Sequence, residues 1–454
     1  MARFGRLTDA PASFVISGAR VVDPATGTDA VADLAVVGGR VVASAPDAAR
    51  IDGRGLVVAP GFCDLHTHLR EPGGEAVESF ERGTRAAAHG GFTTVCAMPN
   101  TDPPLDEGLR VAALGARAAD AACRVRVIGA ATRQRTGERL ADLAELAAAG
   151  AIAVSDDGAA LPTAALVRSA LLYLAPLGLP LVEHCEEPSL ARGSVMRAGP
   201  TATRLGLGGW PASAELTVVE RDIALAAETA GRVHFTHLST AAALDAVRRA
   251  KAAGVAVTCD VTPHHLVLTD RWVAGDRHFA WEAGEEDAFD APLDPELAYD
   301  GRCRVNPPLA SRDDALALLA GVADGTVDAI ATDHAPHPPE RQLVEFADAA
   351  PGMIGLETAL SLGLAAVEAG CLTLRRLVEA LSRAPATIVG ESRSLAVGAP
   401  ADLVVFDPAA PWTVSEATLA SRSRNTPLLG RELPGVVRLT VAGGRITYDD
   451  IGLA

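Results

Sequence analysis

Residues 232–265 read RVHFTHLSTAAALDAVRRAKAAGVAVTCDVTPHH, and their grammar sets the fold of the middle of the chain. An apolar run with strand character ends on His237. A stretch with the apolar spacing of an amphipathic helix follows and closes on Gly254, after which a second apolar run ends on further histidines. This is a strand, a helix and a strand, the unit from which parallel sheets are built.

The same alternation recurs in FTTVCAMPN (92–100), RVRVIGA (124–130), AIAVSDDG (151–158), LPLVEHCEE (179–187) and VDAIATDHAPH (327–337). So many units favour a closed barrel over an open sheet, and the predicted class is α/β, a (β/α)8 TIM barrel. Outside it, FVISGARVV, DLAVVGGRVVA and GLVVAP near the start, and ADLVVFDP, GVVRLTVAGG and RITYD after residue 395, have the texture of short strands and turns. The two ends are expected to form one small β module, dividing the chain into 1–57, 58–392 and 393–454.

Nearly every barrel run ends on His, Asp or Asn, and the carboxyl ends of barrel strands are where such folds build sites. In GFCDLHTHLREPG (61–73), strand alternation would place His66, His68 and Arg70 on one side. Two imidazoles on one face can hold one divalent ion, but an HxH pair alone is equally the polar end of a strand. His184 and His237 end two other predicted strands; singly, each is as readily a hydrogen-bonded structural histidine. His234 sits inside its strand and reads as structural. Four strand-end histidines from three strands together point to metal.

Asp333 either caps the next helix or binds metal and shuttles a proton. Two metals among four histidines require an anionic bridge, a carbamylated lysine or a carboxylate. The chain has one lysine, Lys251, within a helical run and not at a strand end, so the bridge falls to Asp156 or Asp157. Spacing does not choose between them, and either could instead cap a helix or make an Asx turn.

Composition narrows the partners. Hydrophobic residues make up 49% of the 454 and charged ones 21%, which suits a globular protein with a large core. With 40 basic and 57 acidic residues the net charge is −17, which repels phosphate backbones and anionic lipid. Nucleic acid and membranes are excluded as expected partners, and an anionic substrate would need local positive charge such as Arg70 or a metal. The seven scattered cysteines form no CxxC pair and read as reduced core residues; with no apolar signal core at the start and no run of membrane-spanning length, a cytoplasmic protein is expected.

GFCDLHTHLREPG, AMPNTDPP, SDDG, EHCEE, THLST, TPHHLVLTD, RVNPPL, ATDHAPH and SRNTP, in order from about residue 58 to 427, resemble the amidohydrolase superfamily and specifically the aspartate-bridged dihydroorotases. HLREPG with the asparagine of MPNT is far more specific than HxH. The resemblance implies a distorted barrel beside a small β-sandwich made from both chain ends. It implies two zinc ions per subunit, one on His66, His68, Asp157 and Asp333, the other on Asp157, His184 and His237, with the second Asp of DDG as bridge.

It further implies that Arg70 and Asn100, aided by His337, grip the substrate carboxylate, with His68 and Leu69 alongside. Asn306, Pro351 and Gly352 would hold the pyrimidine ring. The implied activity is reversible cyclisation of N-carbamoyl-L-aspartate to (S)-dihydroorotate in pyrimidine biosynthesis, with Asp333 moving the proton. A homo-oligomer, and association with aspartate carbamoyltransferase, belong to the same expectation. The competing expectations are a hydantoinase- or allantoinase-type cyclic amidase, families that generally use a carbamylated lysine, and a silent dihydroorotase-like scaffold for aspartate carbamoyltransferase, which would have lost ligands. One stretch departs from the family: 271–302 is longer than expected and strongly acidic from Trp281 to Asp300. It is expected to be a solvated surface excursion, with a lid or partner surface as the other reading.

Overall fold

A computed structural model describes residues 2–282 and 294–453. Eight strands, β1 (Phe62–Thr67), β2 (Phe92–Ala97), β3 (Arg124–Ala130), β4 (Ala151–Ser155), β5 (Leu181–His184), β6 (Val233–Thr236), β7 (Val257–Val261) and β8 (Ala329–Ile330), lie side by side in chain order, each parallel to the next. The ends of the row meet where Thr67 bridges His334 and the His68 amide donates to the His334 carbonyl at 2.9 Å. The sheet is thereby a nearly closed TIM barrel.

The unit at 232–265 shows why the pattern folds this way. Between β6 and β7 the helix Ala241–Ala252 is started by Thr240, whose side chain accepts from the Ala243 amide, and it buries Leu244, Val247 and Ala250. Gly254, at φ 77°, turns the chain out of the helix in a conformation that costs other residues a Cβ clash. Phe62, Phe92, Leu181 and Phe235 on the strands are fully buried. Each such side chain contributes about 1.5–3 kcal/mol relative to exposure.

Both chain ends build one continuous nine-stranded sheet. The strand Val57–Pro60 pairs antiparallel with Leu403–Phe406, joining the N-terminal and C-terminal halves. The expected division after residue 57 falls within this strand. The sheet closes on a core of its own that includes Phe14, Ile16, Val36, Val58, Leu403 and Leu439. Only Gly61 separates it from β1, and a Cβ there would lie 2.2 Å from Thr93, so the two bodies join through a residue without a side chain.

The stretch 271–302 is divided: its first part is packed into the protein, whereas residues 294–297 and Tyr299 of the acidic part are exposed, as expected for a surface excursion. Trp272, Val273, Phe279 and Ala280 are buried, the Arg431 guanidinium lies 3.7 Å from the Phe279 ring centre, and the Tyr299 hydroxyl donates to the Leu205 carbonyl at 2.9 Å. The aromatic anchors hold the start of the stretch, and the acidic Asp294 and Glu296 that follow face solvent. The central part, 283–293, lies outside the described residues. Six of the seven cysteines are buried and all are free thiols. Among the described residues no helix is long and apolar enough to cross a membrane.

Candidate active site

The site is assembled at the carboxyl ends of β1, β4, β5, β6 and β8. His66 lies on β1 and His68 just past its end, their Nε2 atoms 3.2 Å apart. Both face the same two carboxylates: Asp157 Oδ2 at 3.3 and 3.5 Å, and Asp333 Oδ1 at 3.4 and 3.1 Å. The other oxygen of Asp157, Oδ1, faces His184 Nδ1 at 3.7 Å and His237 Nε2 at 3.5 Å, and those nitrogens are 3.0 Å apart. Two donor groups therefore share one carboxylate: His66, His68 and Asp157 on one side, Asp157, His184 and His237 on the other. Asp333 stands beside the first.

These side chains fit divalent metal by their own chemistry. Asp157 Oδ1 is buried and accepts no hydrogen bond within the structure, a costly state for a carboxylate oxygen unless a cation meets it. Burial opposes charge on His66, yet the carboxylates of Asp157 and Asp333 outweigh it and lift the ring to about 10. Burial likewise opposes ionisation of Asp157 and Asp333, and the facing imidazoles nevertheless hold both well below the usual carboxylate range. The cluster therefore stabilises positive charge at its centre.

Outer contacts aim the rings. His66 Nδ1 meets Thr236 Oγ1 at 2.8 Å, His68 Nδ1 meets Asn100 Oδ1 at 2.8 Å, and His184 Nε2 meets Glu186 Oε2 at 3.0 Å. Partners of this kind fix ring orientation and tune ligand basicity. Glu186 also accepts from Asn306 Nδ2 at 2.7 Å, coupling a metal-side histidine to the cavity wall. Glu186→Ala is expected to weaken metal binding by roughly 10–100-fold, the usual cost of losing such a partner. Competition against a chromophoric chelator measures this, and wild-type affinity in the variant would leave His184 needing no support.

Local backbone departs from the regular pattern at the residues that matter. Arg70, His237 and Asp333 have φ of 60°, 41° and 45°, conformations that cost a non-glycine residue energy and cluster at functional sites. Alternation along β6 would put His237 on the helix side with Phe235; the left-handed turn brings it inward instead. β1 likewise stops at Thr67, so Arg70 reaches the cavity by a turn and not by strand alternation. The DDG pair divides its labour. Asp156 accepts from the Thr132 amide at 3.0 Å and from the Thr132 hydroxyl, whereas Asp157 faces the histidines. Arg135 donates to the carbonyls of both.

Beside these donor groups is a cavity of about 230 Å³. Arg70, Asn100, Asn306, His337, Pro351 and Gly352 all line it. Arg70 Nε donates to the Pro336 carbonyl at 3.1 Å, leaving its outer nitrogens toward the cavity side of His337. His337 Nε2 donates to the Pro351 carbonyl at 3.0 Å, and burial together with the Arg70 charge pushes the ring down to about 4, so it is neutral at pH 7. Leu69 is not brought to the cavity: it is 3% exposed and packs into the apolar core.

Several contributors escaped the sequence reading. Arg341 also lines the cavity. Asp260 accepts from the His237 amide at 2.6 Å and pairs with His234 Nε2 at 2.8 Å, confirming a structural part for His234. Its signal was a charged residue inside the apolar run VTCDV. Lys251 binds Asp328 Oδ2 at 2.5 Å and the Thr326 carbonyl at 2.6 Å, next to the amino end of β8 and so at the opposite end of the barrel from the histidines.

A family model described as Dihydro-orotase-like matches residues 55–243, and one described as Amidohydrolase family matches 343–448. The chain is 47% identical over 443 residues to a dihydroorotase of Anaeromyxobacter dehalogenans (strain 2CP-C), covering 96% of this chain and 98% of that one. It is 43% identical over 444 residues to a dihydroorotase of Pelobacter propionicus, covering 96% and 99%. Among solved structures, an L-hydantoinase (dihydropyrimidinase) from Arthrobacter aurescens superposes with a TM-score of 0.81 at 23% identity, over 98% of this chain and 96% of that one. That last likeness speaks for the fold alone. Sequence identity of this degree over nearly the whole length, on a barrel that gathers four histidines and two aspartates at one end, makes the chain a member of the dihydroorotase family of amidohydrolases.

Proposed function

We propose that the protein is a zinc-dependent dihydroorotase, interconverting N-carbamoyl-L-aspartate and (S)-dihydroorotate in pyrimidine synthesis, with two zinc ions per subunit. The observation that carries this is Asp157, whose two carboxylate oxygens face two separate histidine pairs beside a cavity that also holds Arg70 and Asn100. His66, His68, Asp157 and Asp333 would hold one ion, and Asp157, His184 and His237 the other. Bound there, such ions supply Lewis acidity, which activates water near neutral pH and polarises an amide carbonyl.

The rest of the chemistry belongs to the chain. Arg70 and Asn100, with neutral His337, bind the ring's carboxylate, the guanidinium being suited to a two-point grip. The cavity, smaller than those usual for drug-sized ligands, suits a single six-membered ring. Asn306 and the Pro351–Gly352 backbone would orient the ring's polar edge. Asp333, ionised under the influence of His66 and His68, takes the proton of the attacking water and returns it to the departing ring nitrogen. In ring closure the same atoms run the reverse path, with loss of water.

Five of the six expected ligands fall into two donor groups with Asp333 beside the first, which weighs against a silent scaffold; the only lysine is at the barrel's far end, which weighs against an enzyme built on a carbamylated lysine. Purified protein should contain zinc and consume dihydroorotate, followed as loss of ultraviolet absorbance. Inactivity there, beside brisk hydrolysis of hydantoin or allantoin, would sink this reading. The reading extends to a homo-oligomer able to associate with aspartate carbamoyltransferase, for which sedentation of the protein alone and mixed with that enzyme is the check.

A further inference from the structure

The motif SRNTP (423–427) has no part in the site as built so far, yet the described structure runs it along the back of the cavity wall. Asn425 is 3% exposed and does not itself line the cavity. Its Oδ1 accepts from the His337 amide at 3.1 Å, and its Nδ2 donates to the carbonyls of Ala335 at 2.8 Å and Gly352 at 3.0 Å. Its own carbonyl accepts from the Ile354 amide at 3.1 Å. One amide side chain thus ties the segment carrying His337 to the segment carrying Pro351 and Gly352.

The two segments touch closely. A Cβ built on Gly352 would lie 2.7 Å from Ala335 Cβ and 3.1 Å from His337 Nε2, so their spacing has little slack. The loop before Asn425 is anchored in turn. The Ala420 and Ser421 amides donate to Glu357 at 2.7 and 3.0 Å, and the Ser421 hydroxyl donates to Glu78 Oε2 at 2.5 Å. Glu78 is fully buried in the segment that follows Arg70. The C-terminal strap is therefore fastened to both sides of the anion pocket.

We propose that Asn425 is a positioning residue for substrate binding: it sets the separation of His337 from the Pro351–Gly352 wall, and with it the geometry of the carboxylate pocket. Two donors and one acceptor on a short planar group meet the three partners at once. Aspartate lacks the donors, and glutamine carries the amide one methylene too far. This inference rests on the dihydroorotase reading above.

The test is steady-state kinetics on dihydroorotate with metal analysis of the same samples. Asn425→Ala should raise KM roughly 10–100-fold, the scale on which a displacement of about 1 Å acts, while kcat stays within about twofold and bound zinc is unchanged. Asn425→Gln, which keeps the amide but shifts it, should raise KM in the same direction and decides the matter if the alanine variant fails to fold. Wild-type KM in a folded variant, or parallel loss of kcat and zinc with KM unmoved, would overturn the positioning role. Inactivity of the wild-type protein on dihydroorotate would instead overturn the functional reading, and this proposal with it.

Discussion

Asp157→Ala protein is expected to emerge from purification largely stripped of metal and with kcat lowered by ~10³ or more, a barrier increase of about 4 kcal/mol. The expectation follows from the shared carboxylate. Both donor groups lose a ligand at once, and the two histidine pairs lose the carboxylate that stands between them, Asp333 facing only the first pair. Asp156→Ala makes the control, because that neighbour serves Thr132 and not the histidines. It should lose thermal stability and keep its metal. Elemental analysis of the two variants separates the roles, and full zinc content in Asp157→Ala would end the bridging assignment.

Arg70→Met should raise KM for dihydroorotate by roughly 10–100-fold, since a hydrogen bond to a charged group contributes about 1.5–3 kcal/mol. The methionine fills similar volume without charge, so the loss reports recognition and not collapse of the wall. Burial disfavours the guanidinium's charge, and that strain is relieved when an anionic substrate arrives. Zinc content should be unaffected. A KM equal to that of the wild type would take Arg70 away from the substrate's carboxylate.

The barrel was legible because its strands and helices repeat with distinct periods and its polar residues fall at strand ends. The six metal-ligating candidates were legible for the same reason, each at or just past the end of an apolar run. How they reach one another was not. His237, Asp333 and Arg70 arrive through left-handed backbone, which no strand period encodes. Choosing Asp157 over Asp156 needed the family resemblance, and in the structure the difference comes down to Thr132, a residue 24 positions away from Asp156. The insertion's charge told of the exposed residues 294–297 but not of its start, where Trp272 and Phe279 stack and are buried. Asn425 was visible as part of a motif, but its work depends on three carbonyl and amide groups from segments about 70 to 90 residues upstream, contacts that only the folded chain brings together.

The place of Lys251 has a chemical consequence. An enzyme that bridges its metals through a lysine carbamate must capture carbon dioxide after translation, and its assembly then depends on dissolved bicarbonate. Here the single lysine is committed to Asp328 at the other end of the barrel, and the carboxylate facing both histidine pairs is a side chain written in the gene. Metal-stripped protein should therefore recover its full zinc complement, at an undiminished rate, in buffer purged of carbon dioxide.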